Sequence, residues 1–164
     1  AANFFGAVVI VAGLVGTTLG GLAATAWHKR NPAGYALLLS ISTFLAVPTS
    51  FAAFASHDQT TTMCLLALSM CLLFLSTGPI NTLILETVPV NLRASAMALS
   101  IFMIHLFGDM WSPEIVGRLA DAWADLRKAA MILPFALLIG AVLWLALGLR
   151  MRPAPPKPVP APTA

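Results

Sequence analysis

Residues 4–27 read FFGAVVIVAGLVGTTLGGLAATAW, a run of 24 residues without a charged side chain. A transmembrane helix needs about 20 consecutive apolar residues to cross about 30 Å of hydrocarbon. A helix can cross because its backbone satisfies its own hydrogen bonds, and the run lacks the period-two alternation of a barrel strand. The stretch therefore predicts a membrane-spanning α-helix.

Four more apolar runs of similar length follow, over about 33–55, 62–88, 94–113 and 129–149. We expect an all-α membrane protein in which residues 1–149 form a partial bundle of five transmembrane helices. Residues 150–164 are rich in proline and alanine, and we expect them to form a cytoplasmic tail without a core. The odd number of spans, and an opening at Ala1 directly on an apolar run, indicate a fragment of a longer protein or a processed one.

The composition excludes most other classes. Hydrophobic residues make up 59% of the chain and charged residues 9%, against about 25% charged in soluble domains. The formal net charge of +3 bears on membrane orientation rather than on nucleic acid. Cys64 and Cys71 lie too far apart on one helix for a disulfide. The absence of HExxH, GxSxG and Cys/His metal spacings disfavours an enzyme, a metal or a cofactor.

Lysine and arginine predict the orientation, because cytoplasmic loops carry an excess of them. With the amino terminus outside, the inner segments hold six basic residues, Lys29, Arg30, Arg93, Arg150, Arg152 and Lys157. The outer segments hold three, Arg118, Arg127 and Lys128. We therefore expect a cytoplasmic carboxyl terminus.

Glycines mark the first run. Gly6, Gly13 and Gly20 recur every seven residues, and Gly16 with Gly20 forms a small-xxx-small pair. Such a face lets another helix backbone approach closely, where lipid gives no hydrophobic drive for association. The face fits packing within this chain and a sliding seam between two halves of a transporter equally well. We expect this face, and the polar face of the fourth run, to be uncovered in this chain alone.

The third run is interrupted at Gly78-Pro79, which predicts a kink because proline removes a helix hydrogen bond. Interrupted membrane helices often line cavities. Asn81 is then either an interhelical hydrogen-bonding group or a contact to a solute or a gating partner. Glu86 either pairs with Arg93 or Lys29 at the cytoplasmic rim or contacts the solute.

His105 and Asp109 of the fourth run share a helix face near the middle of the membrane, because they are four residues apart. Ionisable groups at that depth usually face protein or water. The pair is either a fixed hydrogen bond that locks the helix to a neighbour or a proton-sensitive relay. Ser112-Pro113 predicts the end of this helix, followed by a long connection over 114–128.

A longer pattern carries a family resemblance. Residues 78–121 read GPINTLILETVPVNLRASAMALSIFMIHLFGDMWSPEIVGRLAD and closely resemble the Spinster-like branch of the major facilitator superfamily. The matching positions are Gly78-Pro79, Asn81, Val88-Pro89, Arg93-Ala94, His105, Gly108-Asp109, Ser112-Pro113, Gly117 and Asp121. The turn from Gly20-Gly21 to Arg30-Asn31-Pro32 also resembles that branch, and the resemblance covers about residues 4–149.

The resemblance implies an alternating-access transporter of twelve helices in two halves, and the five runs look like helices eight to twelve. Helix seven and the amino-terminal half would be missing. Asn81 would lie on a cavity helix, while the glycine face and the His105–Asp109 pair would lie on helices at the seam. Lys29, Arg30 and Arg93 become candidates for gating at the cytoplasmic loops. Thr25 stands where the superfamily's loop motif often has an acid, which argues against an ion-pair latch in that loop. The candidates for helix packing are Gly13, Gly16, Gly20, Gly78, Pro79 and Gly108.

The leading interpretation is part of a secondary transporter for a small amphiphilic or lipid-like organic solute, with proton coupling as one option. Characterised members of the branch are linked to sphingolipids and lysophospholipids. The alternative is a membrane anchor or packing subunit that transports nothing. The expected partners are the lipid bilayer, the solute and the missing amino-terminal half, without nucleic acid. We expect a multi-pass protein of a bacterial inner (plasma) membrane.

Overall fold

The computed structural model describes residues 2–151. The predicted proline-rich tail, with Arg152 and Lys157, lies outside the described residues. The chain forms helices α1 (Ala2–His28), α2 (Gly34–Ala55), α3 (Gln59–Phe74), α4 (Thr77–Thr87), α5 (Arg93–Ile104), α6 (Ser112–Trp123), α7 (Leu126–Ala130) and α8 (Leu133–Arg150). No strand occurs over residues 2–151, and the all-α prediction is confirmed.

Five helical segments are long and apolar enough to cross a membrane. They are Gly6–His28, Gly34–Ala55, Gln59–Thr87, Val90–Trp123 and Leu126–Arg150. Three of the five contain more than one helix, because α3 and α4, α5 and α6, and α7 and α8 follow one another within a span. The prediction of five transmembrane helices is confirmed, and the chain is an integral multi-pass membrane protein.

Helix α2 is the centre of the bundle and packs against α1, α3 and α8. Its buried side includes Ala36, Leu39 and Ala46, none of which has any exposed surface. Buried hydroxyls add polar contacts between helices: Ser40 Oγ donates to the Ala141 carbonyl on α8 at 3.0 Å. Such bonds contribute about 0.6 kcal/mol each within a membrane, so close packing supplies most of the cohesion.

The turn between α1 and α2 is tight. The Asn31 side-chain oxygen accepts a hydrogen bond from the Ala33 amide at 2.9 Å. A Cβ placed on Gly34 would lie 2.6 Å from the His28 amide nitrogen, so glycine allows α2 to begin directly against the end of α1. This turn brings the His28 ring over Tyr35, the second residue of α2.

The third span breaks between α3 and α4, four residues before the proline that predicts the interruption. Pro79 has no amide hydrogen, and its ring excludes the carbonyl of the residue four positions earlier, Leu75. The chain tightens there, with the Ser76 amide bonded to the Leu73 carbonyl at 3.1 Å. The kink expected at Gly78-Pro79 is therefore a break at Leu75-Ser76, with Pro79 buried inside the first turn of α4.

The fourth span continues past Ser112-Pro113, where the sequence predicted its end. Pro113 occupies the first turn of α6, a position at which its missing amide costs nothing. The Arg118 Nε donates to Glu114 one turn earlier at 2.7 Å. Ala124, in the left-handed region with φ 50°, ends α6, and Asp125 caps α7. The predicted long connection is mostly helix.

Residues 90–123, here called the arm, stand apart from the bundle. No residue of this segment is buried. Helix α5 contacts α4 at its start, and α6 contacts α7 at its end. Large apolar side chains such as Phe102, Phe107 and Trp111 are more than half exposed along it. The arm therefore contacts the bundle mainly at its two ends.

Candidate functional site

The glycine face of α1 packs on the break between α3 and α4. A Cβ on Gly16 would lie 2.6 Å from the Cys71 carbonyl oxygen, and a Cβ on Gly20 would overlap the Leu75 carbonyl oxygen. Pro79 deprives that Leu75 carbonyl of its helical donor, so it projects toward α1. Only glycine lets the α1 backbone come this close to it.

Three of the glycines predicted to be uncovered are thus covered by the same chain. Gly16 and Gly20 are buried, and Gly13 lies beneath the Phe74 ring, whose nearest atom would be 3.6 Å from an added Cβ. Gly78 lies beside Gly21, with 3.5 Å between its would-be Cβ and the Gly21 Cα. The uncovered-face expectation was wrong for these positions because α1 packs with these glycines directly against the α3–α4 break.

Glu86 lies at the far end of α4 and faces α1. Its carboxylate Oε2 is 3.6 Å from His28 Nε2, so its partner is the histidine that precedes Lys29, rather than Lys29 or Arg93. The His28 ring stacks on Tyr35, with 4.2 Å between ring centroids. His28, Tyr35 and Glu86, here called the end cluster, join α1, α2 and α4.

The end cluster contains the residues that the sequence analysis missed. His28 directly precedes the more conspicuous basic pair Lys29-Arg30, and Tyr35 stands at the start of an apolar run. Neither residue by itself therefore indicated a site in the sequence. A usable signal was present, because a histidine and a tyrosine flank an Asn-Pro turn that must bring them together. The three basic gating candidates, Lys29, Arg30 and Arg93, are exposed near this end.

The His105–Asp109 pair forms on the arm. His105 Nδ1 and Asp109 Oδ2 are 2.5 Å apart, and both side chains are 66% exposed. The backbone between them makes one π-helical turn, in which the Met110 amide bonds to the His105 carbonyl at 3.0 Å. A π turn often marks a functional site. The pair is satisfied internally, but no other element of the described chain covers it.

An apolar groove of about 510 Å³ separates α4 from α8. It is lined by Leu83, Ile84, Thr87, Val88, Trp144, Leu147 and Met151. Glu86 lies on the opposite side of α4, toward α1. Asn81 is exposed on the same helix. Helix α4 therefore has one side in the end cluster and the other in the groove.

The remaining candidates are placed apart from these features. An added Cβ at Gly108 meets nothing within 4 Å, so this glycine is not at a close contact in the described chain. Cys64 and Cys71 are free thiols. Among residues 2–151, no three His, Cys, Asp or Glu side chains lie close enough together to hold a metal ion.

Comparison with known proteins gives several relatives. The chain is 36% identical over 140 residues to the "Probable sphingolipid transporter spinster homolog 2" of Arabidopsis thaliana, covering 85% of this chain and 29% of that protein. It is 28% identical over 162 residues to "Protein spinster homolog 3" of Danio rerio, covering 90% and 32%. It is 28% identical over 163 residues to a sphingosine-1-phosphate transporter of Xenopus tropicalis, covering 88% and 31%.

These matches extend over most of this chain but a smaller part of each relative. The chain spans less than a third of the length of these three relatives. No protein-family model matches it.

Proposed function

The chain is homologous over most of its length to the Spinster family of the major facilitator superfamily, and on this basis we propose that it forms helices eight to twelve of a transmembrane transporter. The solute is a small amphiphilic or lipid-like organic molecule. It moves by alternating access, and protons are the coupling ion. The observation that carries the proposal is the 36% identity to a named sphingolipid transporter across 85% of the chain.

The α4 region supports a lipid-like solute. An amphiphile needs an apolar surface for its chain and a polar group for its head. Helix α4 supplies apolar side chains along the groove and the exposed amide of Asn81. We assign Asn81 as the candidate solute contact on this helix, whereas Glu86 faces α1 and pairs with His28.

The arm supports a role for further helices. A histidine and a carboxylate that are both two-thirds exposed would be costly against lipid. We propose that the amino-terminal half of the transporter covers this face. Protonation of the pair changes its net charge by one unit, which favours whichever transport state accommodates that charge better.

Orientation and location complete the proposal. Lys29, Arg30 and Arg93 lie at the cytoplasmic end and contribute to gating there, with the carboxyl terminus on the same side. The membrane is the inner (plasma) membrane of a bacterium. The orientation is supported by the basic residues, which are concentrated at the end that holds the α1–α2 turn.

The test is transport of fluorescent lysophospholipid in cells that express the gene, compared with cells that lack it, at external pH values from 5.5 to 8. We expect gene-dependent transport that varies with pH. His105→Gln should flatten the pH profile at an unchanged membrane level, whereas His57→Gln, in the exposed α2–α3 loop, should leave it unchanged. Lysophospholipid transport that is identical with and without the gene would favour the packing-subunit alternative.

A further inference from the structure

Three helices meet at His28, and its two ring nitrogens have different surroundings. Nδ1 is buried and has no hydrogen-bond partner in the described part of the chain. Nε2 points at the Glu86 carboxylate. In the described chain the ring therefore meets the carboxylate through Nε2 alone.

The distance between His28 and Glu86 fits a contact that tightens on protonation. A charge-assisted hydrogen bond between nitrogen and a carboxylate spans about 2.7–2.9 Å, and the two atoms are 3.6 Å apart. A neutral ring offers the carboxylate at most an uncharged N–H donor, and in its other tautomer it presents a lone pair at Nε2. A proton at Nε2 supplies a donor and a positive charge, and it places that charge at the carboxyl end of α1, where the helix dipole favours a cation.

Glu86 lies near the carboxyl end of α4, so its contact with His28 restrains that end of the helix. The α3–α4 break at Leu75-Ser76 separates α4 from α3, while Glu86 lies in its last turn. A contact at that end adds to the packing of α4 on α1, which begins where Gly78 lies beside Gly21. Helix α4 also forms one wall of the groove toward α8.

We propose that His28 is a proton-binding site, and that its protonated ring fastens the end of α4 to α1 through Glu86. Acidification closes this contact and holds α4 against α1. Deprotonation weakens this contact on the α1 side of α4. The proposed contact involves no solute, and the measurements that test it involve no transport.

The surrounding groups fix the direction of the pH dependence. Tyr35 on α2 and Glu86 on α4 face the ring, while Lys29 and Arg30 follow it in its own turn. Arg93 begins α5 beyond Glu86, and α3 carries no Asp, Glu, Lys, Arg or His. The cations oppose protonation of His28 and the carboxylate favours it. The contact is therefore strongest when His28 is protonated and Glu86 is ionised.

Tyr35 is a built-in reporter, because it is the single tyrosine of the chain and stacks on His28. With 13C-labelled tyrosine in lipid nanodiscs, we expect one NMR signal that titrates with pH. His28→Gln should abolish the titration, and Glu86→Gln should shift its midpoint, because it removes the charge that faces the ring. His57→Gln is the matched control and should change nothing.

Three results would overturn the proton site: no titration in the unmodified chain, titration that survives His28→Gln, or a midpoint that Glu86→Gln does not shift. The Glu86→Gln arm decides the matter if His28→Gln fails to fold, because Glu86 is partly exposed and its replacement leaves the ring in place.

A separate distance measurement tests whether this contact holds the end of α4 against α1. Spin labels at Thr25→Cys and Val90→Cys, in a Cys64→Ala/Cys71→Ala background, report the distance between the end of α1 and the turn that follows α4. We expect a narrower and shorter distance distribution at pH 5.5 than at pH 8, and no pH effect after Glu86→Gln. A distribution that is the same at both pH values would overturn the fastening.

Discussion

At the scale of single residues, Gly20 and the Leu75 carbonyl show how two distant sequence features become one contact. Pro79 removes the donor that this carbonyl would have inside a helix. An unpaired carbonyl is costly in an apolar environment, and here it lies directly on the backbone of α1. Any side chain at residue 20 would occupy the same space.

Alanine at two adjacent glycines should therefore have opposite effects. Gly20→Ala forces α1 away from α3 and should lower the free energy of unfolding by about 1–3 kcal/mol. Gly21→Ala meets nothing within 4 Å, so it should leave stability unchanged or raise it by up to about 1 kcal/mol, since alanine favours a helix. Thermal unfolding of both variants in one detergent measures the difference. Equal stabilities would contradict the assigned contact.

Asp58 controls the start of α3 and gives a pH dependence at the opposite end of the molecule from His28. The Thr61 hydroxyl donates to its carboxylate, and so does the Thr61 amide, each at 2.7 Å. These hydrogen bonds hold the pKa of Asp58 below its usual range, and the bond from the Thr61 hydroxyl has the larger effect. A lowered pKa in the folded state means that the carboxylate stabilises the fold above the ordinary value of about 3.9.

We therefore expect the contribution of Asp58 to be lost as the pH falls below about 4, through the lowered pKa. Asp58→Asn should remove this acid sensitivity while keeping the cap, because asparagine also caps helices well. The measurement is the melting temperature of both proteins between pH 3 and pH 7. Parallel curves over that range would show that the capping carboxylate does not contribute to the acid response.

At the scale of elements, the length of the apolar runs predicted the spans well. The breaks inside the spans were harder to predict, because they depend on contacts between particular atoms that a sequence pattern does not locate. Pro79 announced an interruption, yet the break lies at Leu75-Ser76 because the steric conflict acts on the carbonyl four residues earlier. Pro113 looked like a helix end, but a proline in a first turn is compatible with a new helix. The contact between Glu86 and His28 could not be predicted from the sequence, because it forms only when α4 packs beside α1.

The arm should be the least protected span. Its backbone hydrogen bonds have no packed neighbours between its two ends, whereas α2 is packed on several sides. Local opening costs little where few contacts must break. We expect amide hydrogen exchange in detergent to be clearly faster over residues 93–123 than over Gly34–Ala55. Exchange as slow in the arm as in α2 would mean that the arm is packed in solution.

At the scale of the whole molecule, membrane thickness explains why the fold class was accessible from sequence. Each span must be helical and about 20 residues long, so composition alone constrains the architecture. The site was less accessible because its residues come from separate spans. His105 and Asp109 could be paired by local spacing, while His28 and Glu86 lie 58 positions apart and meet only after α1 and α4 pack.

Contacts across the bundle also show which loops share an end. Arg127 on α7 donates to the Ser56 carbonyl after α2, so the α2–α3 loop and the α6–α8 region lie together. His28 and Glu86 place the α1–α2 turn near the α4–α5 turn at the other end. The second end carries Lys29, Arg30 and Arg93. The excess of basic residues therefore predicts that this end is cytoplasmic.

Cysteine labelling tests this orientation. In a Cys64→Ala/Cys71→Ala background, His57→Cys places a thiol in the α2–α3 loop without disturbing the Asp58 cap, and Asn91→Cys places one in the α4–α5 turn. Both native side chains are exposed and neither is a lysine or arginine. A membrane-impermeant maleimide should label His57→Cys in intact cells and Asn91→Cys only after permeabilisation. The reverse pattern would invert the topology, and labelling of both from outside would contradict the placement of these loops at opposite ends.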